Sequence, residues 1–326
     1  MSLLTLFKIK DMKLVEFFNN YSNEAACKAE FKRLREKQGV ICKKCNSKDE
    51  YWWLKSKELY ECKKCGFRMS LKSGTVMENS KLTYQYWFIA MHLMTATKKT
   101  ISALEMQKQL GHKYYECIWG MMHKIRLVMG KRDDLHQLND ESEIDEAYYS
   151  TKYIFEENEF TGQKENLKRG KGSQKKTSVL VMASQKRIQR KKMKPNQDAS
   201  YGMPKYLKMK VVENGTIEEI KSTTEKSVDE SSSIKADKAK AYPKSFRTYE
   251  KVELYDMSKH ESGKILPWSS KAITNSKNLI KAIHHAVEAP YLQNYLNEFC
   301  FKYNRRYFGE KVFDRLVVAA VSFVWY

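Results

Sequence analysis

The chain has 326 residues, 42% of them hydrophobic, which excludes an intrinsically disordered tract and leaves room for two or three packed domains. Lysine and arginine number 60 against 39 acids, a formal net charge of +21, so the composition points to a polyanionic partner, nucleic acid first and an anionic membrane surface second. No apolar run approaches the ~20 residues of a spanning helix, and MSLLTLFKIKDMKL lacks an export-signal pattern, so a cytoplasmic protein with reduced thiols and no membrane association is expected.

In chain order, residues 1–38 read as an N-terminal helical segment, with apolar Leu14, Phe17 and Phe18, a helical charge pattern over residues 24–38, and Gly39 as its stop. Residues 39–80 hold Cys42, Cys45, Cys62 and Cys65 in a C-x2-C-x16-C-x2-C pattern. Two residues between cysteines let one tight turn aim both sulfurs at a single ion, and two such turns complete a tetrahedral thiolate shell, so one structural Zn²⁺ in a zinc ribbon is expected. Lys43, Lys44, Lys63 and Lys64 lie between the ligands and offset their charge, Gly66 suits the second turn, and YWWLKSKELYE alternates as a hairpin does. Four thiolates leave no open position, so this site is expected to hold a fold or touch nucleic acid rather than catalyse. Cys27, Cys117 and Cys300 stand alone and read as packing residues.

Residues 81–135 read as helical, with a break at Gly111. A helix from Ser102 to Leu110, a glycine turn and a helix from Lys113 fit a helix-turn-helix DNA-binding domain whose third helix presents Tyr114 and Tyr115. A plain helical bundle with Trp119, Met121 and Met122 in its core fits the same pattern.

Residues 140–326 change character. Strands are expected over EIDEAYYS (143–150), TSVLVMAS (177–184) and YLKMKVVEN (206–214), with IEEIKS extending the ladder after Gly215. A helix over 224–232, a strand ending at Asp237, a strand over 252–256 and a helix over 273–287 follow, and the basic stretch 185–200 reads as a loop. This order predicts an α/β domain, a ribonuclease H-like mixed sheet with flanking helices, in which the first and fourth strands are neighbours. Asp145 and Asp237 then meet although far apart in sequence. Two adjacent carboxylates repel each other and need cations, and oxygen ligands suit two Mg²⁺ or Mn²⁺ ions acting on a phosphodiester.

Several motifs in one order carry a more specific resemblance: EIDEAYYS, KRGKGSQKKTSVLVM (168–182), Leu266-Pro267-Trp268, Asn275 with Lys277, His285, the Tyr-Leu-x-Glu-Phe run at 295–299, and Asn304-Arg305-Arg306. With the ribbon and the helical segment, they make residues 40–325 resemble the insertion-sequence transposases of the family numbered fifteen ninety-five. The resemblance implies a DNA transposase that cuts transposon ends and joins the freed 3′-hydroxyl to target DNA by two-metal phosphoryl transfer. It implies Asp145 and Asp237 as the first two metal-binding acids and Asn275 in the third position, with Lys277 two residues on; Asn275 is expected at the metals and Lys277 at a DNA phosphate. Ser150 and Thr151 stand where family members often carry a glycine pair.

Asn275 is a neutral ligand, and Glu253, Asp256 and Glu261 are alternatives to it. On an ideal helix Asn275 and Lys277 lie about 200° apart, so both face one point only if the helix starts late. Lys168, Arg169, Lys171, Lys175 and Lys176, spaced by Gly170 and Gly172, read either as a phosphate clamp or as a solvated hairpin, and Asn304, Arg305 and Arg306 as phosphate contacts or a solvated helix end. His285 reads as a packed histidine rather than a ligand. The expected partners are double-stranded DNA, as transposon terminal inverted repeats and target, and a second copy of the chain, at least a dimer on DNA, in a bacterial nucleoid-associated setting. The rival readings are an inactive transposase-derived DNA-binding protein and a nuclease that degrades without joining.

Overall fold

The computed structural model describes residues 14–152, 173–189, 200–239, 241–256, 262–309 and 311–326. They form two compact units: Met1–Arg132 with Arg305–Tyr326, and Asp133–Asn304. No helix among the described residues is long and apolar enough to cross a membrane.

The first unit contains α1 (Leu14–Asn20), α2 (Glu24–Gln38), β1 (Tyr51–Leu54), β2 (Leu59–Cys62), β3 (Arg68–Ser70), α3 (Tyr84–Ala96), α4 (Ala103–Leu110) and most of α5 (Tyr115–Asp134). The sequence reading separates an N-terminal segment, a ribbon and a helical domain, but side chains tie them together. The Arg35 guanidinium on α2 is buried and donates to the carbonyls of Ser70 and Leu71 at the end of the ribbon sheet. Glu24, at the start of α2, accepts from the backbone amides of Tyr84 and Gln85 at 2.9 and 2.7 Å and so caps α3 from a distance. The last helix, Lys311–Ser322, packs on α2 and α3. Residues 305–326, assigned from sequence to the catalytic domain, therefore belong here. The reason is the apolar face of that helix, on which Phe313, Leu316, Val317 and Ala320 are buried.

Phe17 stacks on His92 at 4.3 Å, with Phe313 edge-on to Phe17 at 5.5 Å. Burial holds the His92 imidazole below its ordinary pKa, so the folded unit carries it neutral. The unfolded chain takes up that proton more readily. The stability it contributes is thus present above the ordinary histidine value of about 6.5 and is lost as pH falls through the lowered value. Urea unfolding on either side of pH ~6.5 should show wild type weakening on acidification, and His92→Phe, which keeps a stacked ring without the titrating nitrogen, weakening less. Equal losses in the two proteins would rule this histidine out as the cause.

The second unit is built on β4 (Glu141–Lys152), β5 (Lys176–Gln189), β6 (Ser200–Val212), β7 (Ser233–Asp237) and β8 (Val252–Tyr255), in the order β6-β5-β4-β7-β8. β4, β5 and β6 are antiparallel, while β7 and β8 run parallel to β4. The sequence's first and fourth strands are neighbours, as expected. Residues 185–189, read as loop, instead extend β5 as an antiparallel ladder with residues 200–204 of β6, because cross-strand hydrogen bonding overrides the basic composition. β4 continues through Ser150 and Thr151, which pair with β5 and with the short strand β9 (Val287–Glu288).

One sheet face packs on α6 (Ile217–Ser227) and α7 (Tyr242–Ser245), around Ile144, Leu180, Ile234 and Tyr242. The other carries α9 (Pro267–His284), preceded by the single turn α8 (Ser262–Ile265), and α10 (Ala289–Asn304), around Ala147, Val181, Leu292 and Leu296. The ladder extension and the helix over 224–232 are both replaced by α6. Thr216 accepts from the Glu219 amide at 3.3 Å, and the Glu219 carboxylate accepts from the amides of Glu213, Asn214 and Gly215 at 2.7–3.1 Å. Thr-x-x-Glu has the sequence of a capping box, with the glutamate here turned to the amides just before the N-cap, and it starts the helix at once after the glycine turn. Thr216→Ala should cost about 1 kcal/mol of stability in urea unfolding of the full chain; an unchanged midpoint would show that the cap contributes nothing.

Candidate functional site

Two tight turns build the cysteine cluster. In the first, the Asn46 amide donates to the Cys42 carbonyl at 2.9 Å; in the second, Gly66 does the same to Cys62 at 2.9 Å. Both residues take positive φ, 57° and 68°. Asn46, which the sequence reading passed over, is the counterpart of Gly66, since asparagine tolerates this conformation better than most residues. The ligand sulfurs of all four cysteines lie within 4.8 Å of one another. Cys42–Cys65 and Cys45–Cys62 are each 3.6 Å apart, close to the about 3.8 Å edge of a tetrahedron with metal–sulfur bonds of about 2.3 Å. The donor set and spacing fit a structural zinc.

The second cluster lies on β4 and β7. Ile144 pairs in parallel with Ala236, so Asp145 and Asp237 are the next residues along adjacent strands, about 4.8 Å apart across the sheet. Ile144 and Ala236 point into the α6 core, which turns both aspartates to the α9 face. The Asp145 carboxyl is held above the ordinary aspartate range, chiefly by burial and then by Asp237 and Glu146. Its Oδ1 accepts from the next backbone amide, Glu146, at 2.9 Å. Glu146 points to the opposite face, where it accepts from Ser178 at 2.6 Å and from the Tyr148 hydroxyl at 2.9 Å.

α9 starts at Pro267, earlier than the sequence placed it, so Asn275 and Lys277 sit well inside the helix and do not share a face. Between them Ser276 is fully buried and 2.6 Å from the Tyr149 hydroxyl. Lys277 lies 5.3 Å over the Tyr149 ring; burial lowers its pKa, Asp145 opposes that shift and Lys176 adds to it. Asn275 is exposed, and its side chain makes no hydrogen bond among the described residues. Of the alternatives to it, Glu253 accepts from the Tyr255 hydroxyl at 2.7 Å, and Glu261 lies outside the described residues. Among the described residues no third acid, histidine or cysteine gathers with the aspartate pair.

The expected DNA-contact residues divide. Tyr114 and Tyr115 are exposed, at the four-residue turn between α4 and α5, where Gly111 caps α4 at φ 61°. Lys175 and Lys176 are exposed at the start of β5, while Lys168, Arg169 and Lys171 lie outside the described residues. Arg305 is only 6% exposed, so the surface phosphate contact expected of it is corrected: the side chain is buried. Asn304 holds the end of α10 to β6, accepting from the Leu207 amide at 2.7 Å and donating to its carbonyl at 2.9 Å. Arg306 packs over Tyr307 at 4.5 Å. His285 is exposed and closes α9 at φ 58°.

Sequence reasoning missed Glu143. It is fully buried, and its Oε2 accepts from the backbone amides of Trp268 and Ser269 at 2.8 and 2.9 Å. Burial pushes its carboxyl up to about 7, against the opposing effect of these hydrogen bonds. The signal for it was an acid two positions before Asp145 on the same strand face, which alternation places toward α9.

A mixed sheet in this order, with helices on both faces and paired aspartates on the adjacent strands β4 and β7, is consistent with a ribonuclease H-like core. The ISXO2-like transposase domain matches residues 137–304, and the chain belongs to that family. Membership carries transposase-type cutting and joining of DNA, and it agrees with the resemblance read from the motifs. No match was found among curated proteins or among solved structures.

Proposed function

We propose that the protein cuts the ends of its own DNA element and joins them to target DNA, with Asp145 and Asp237 as the metal-holding pair. The observation that carries this reading is the adjacency of the two aspartates on β4 and β7, facing α9. Mg²⁺ or Mn²⁺ ions held there would supply charge neutralisation at the attacking and leaving oxygens of a phosphodiester. The chain's own groups bind and orient. The partly buried Lys277 interacts with Asp145, the exposed Lys176 interacts with Lys277, and the two cations would attract a DNA phosphate.

In the cutting step a water oxygen bonds to phosphorus, the phosphorus–O3′ bond breaks, and that oxygen leaves as a 3′-hydroxyl. In the joining step this hydroxyl attacks a target phosphorus, loses its proton, and displaces the target's own 3′-oxygen. No covalent enzyme intermediate is needed. The ribbon and the α4-turn-α5 segment, used as a helix-turn-helix, would grip the terminal inverted repeats. Two chains would pair two ends, in a bacterial nucleoid.

A second reading, an inactive DNA-binding derivative, is favoured by one observation: no third acidic ligand joins the pair among the described residues, and Asn275 is exposed. One assay separates the readings. The full chain is incubated with labelled duplex carrying the inverted repeats that flank its gene, a target plasmid, and Mg²⁺ or Mn²⁺. Joined product is expected. Degradation without joining would favour a plain nuclease, and binding without cutting the inactive derivative.

A further inference from the structure

α9 lacks a cap of its own. Leu266 stands at its N-cap with no side-chain acceptor, and Pro267 is its first residue. The free amides of Trp268 and Ser269 are satisfied by Glu143, a residue of the strand beneath. Two turns along, Ser276 donates to the Ala272 carbonyl at 2.7 Å, so the short contact with Tyr149 is one in which the tyrosine hydroxyl donates to Ser276. Glu143 and Tyr149 lie on one face of β4, with Asp145 between them. The Trp268 ring nitrogen donates to Gln185 at 3.0 Å, and Gln185 donates to Glu141 at 2.6 Å. Gln185 crosses Gly202 so closely that a Cβ there would lie 2.0 Å from its Oε1, so this contact requires glycine.

We propose that Glu143 and Tyr149 are positioning residues, a two-point clamp that fixes α9 on β4 either side of Asp145 and so places Lys277 beside the aspartates. The clamp rests on the strand-joining reading above. Neither residue touches DNA or the reacting atoms. Fixing a group within a fraction of an ångström matters because a displacement of about 1 Å costs about 100-fold in rate.

The test measures single-turnover cutting rate and DNA affinity separately for Glu143→Ala, Glu143→Gln and Tyr149→Phe, each also in a Lys277→Ala background. Amide hydrogen exchange at Trp268 and Ser269 is followed alongside. Glu143→Ala is expected to lower the rate about 100-fold with DNA affinity unchanged, and to expose both amides to exchange. Glu143→Gln keeps an acceptor oxygen for the two amides and exchanges Oε1, which has no hydrogen-bond partner among the described residues, for an NH2 group, so it should recover most of the rate and protection. Tyr149→Phe should cost about 5-fold, as loss of one hydrogen bond does. Both losses should shrink in Lys277→Ala, because the group being positioned is gone. Equal losses in the two backgrounds, or a Glu143→Gln as impaired as Glu143→Ala, would overturn the clamp. A wild-type chain that cuts nothing would overturn the strand-joining reading instead. The exchange result then decides the clamp alone, unchanged protection in Glu143→Ala refuting it.

Discussion

Asp145→Asn and Asp237→Asn should each yield a folded chain that binds terminal DNA as wild type does and cuts almost none of it. The two carboxylates lie on neighbouring parallel strands and face the same helix. Burial and Asp237 together hold the Asp145 carboxyl above its ordinary range, the mark of an anion that needs a counter-charge. An amide is nearly isosteric but neutral and binds a hard divalent ion weakly. Several kcal/mol of transition-state stabilisation is at stake, which is roughly a 10³-fold loss in rate.

Unfolding cannot account for such a loss. An acid whose folded pKa is raised favours the fold when protonated and loses that contribution as pH rises through the raised value. Without divalent ions, ionisation of Asp145 therefore works against the fold, and Asp145→Asn should melt no lower than wild type. Cleavage of labelled terminal DNA, a gel-shift titration and a melting curve in magnesium-free buffer check the three parts. Cutting by either variant within about tenfold of wild type would remove these aspartates from the chemistry.

The second large effect concerns the ribbon. Its strands are four, four and three residues long, too short to bury a core of their own. A single four-cysteine ion is worth about 10–16 kcal/mol of apparent binding free energy in small zinc-dependent folds, which is comparable to or larger than the stability of a whole domain. Cys62→Ser, or strong chelation, should therefore unfold the ribbon. The effect reaches α2, because the buried Arg35 guanidinium depends on the Ser70 and Leu71 carbonyls at the ribbon's edge. Metal analysis should give one zinc per chain. Chelation should lower the melting temperature and change the emission of Trp52, 60% exposed, and of the more buried Trp53. DNA affinity should fall with them. A chain that purifies without zinc and melts unchanged in chelator would show that the cysteines are packing groups.

Local chemistry was legible in the sequence wherever a short stretch contains its own cause. Cys42, Cys45, Cys62 and Cys65 announce their cluster by spacing, Gly39 and Gly111 stop their helices, and the strand order implied a mixed sheet with Asp145 and Asp237 adjacent. The errors were of two kinds. Thr216-x-x-Glu219 and Pro267 are local helix-start signals that the strand reading over 217–222 and the helix start at 273 leave unused. Those were signals missed. Others had no local signal: the helix over 311–322 packs with α2 and α3, more than two hundred residues earlier, and Arg305 is buried although an arginine usually seeks water.

The sequence by itself determined that the chain holds a four-cysteine metal site, a helical turn segment and a mixed sheet bearing two central aspartates, since caps, turn residues and side-chain alternation act over a few residues. Only the tertiary structure decided that Asn275 is exposed while Lys277 lies over the Tyr149 ring, and that Glu143 and Tyr149 hydrogen-bond to α9. A helix turns 100° per residue, so its start and its docking onto the sheet fix which side chain points inward. Pro267 marks the start, and the first turn is hydrogen-bonded to a buried carboxylate on a strand more than a hundred residues away.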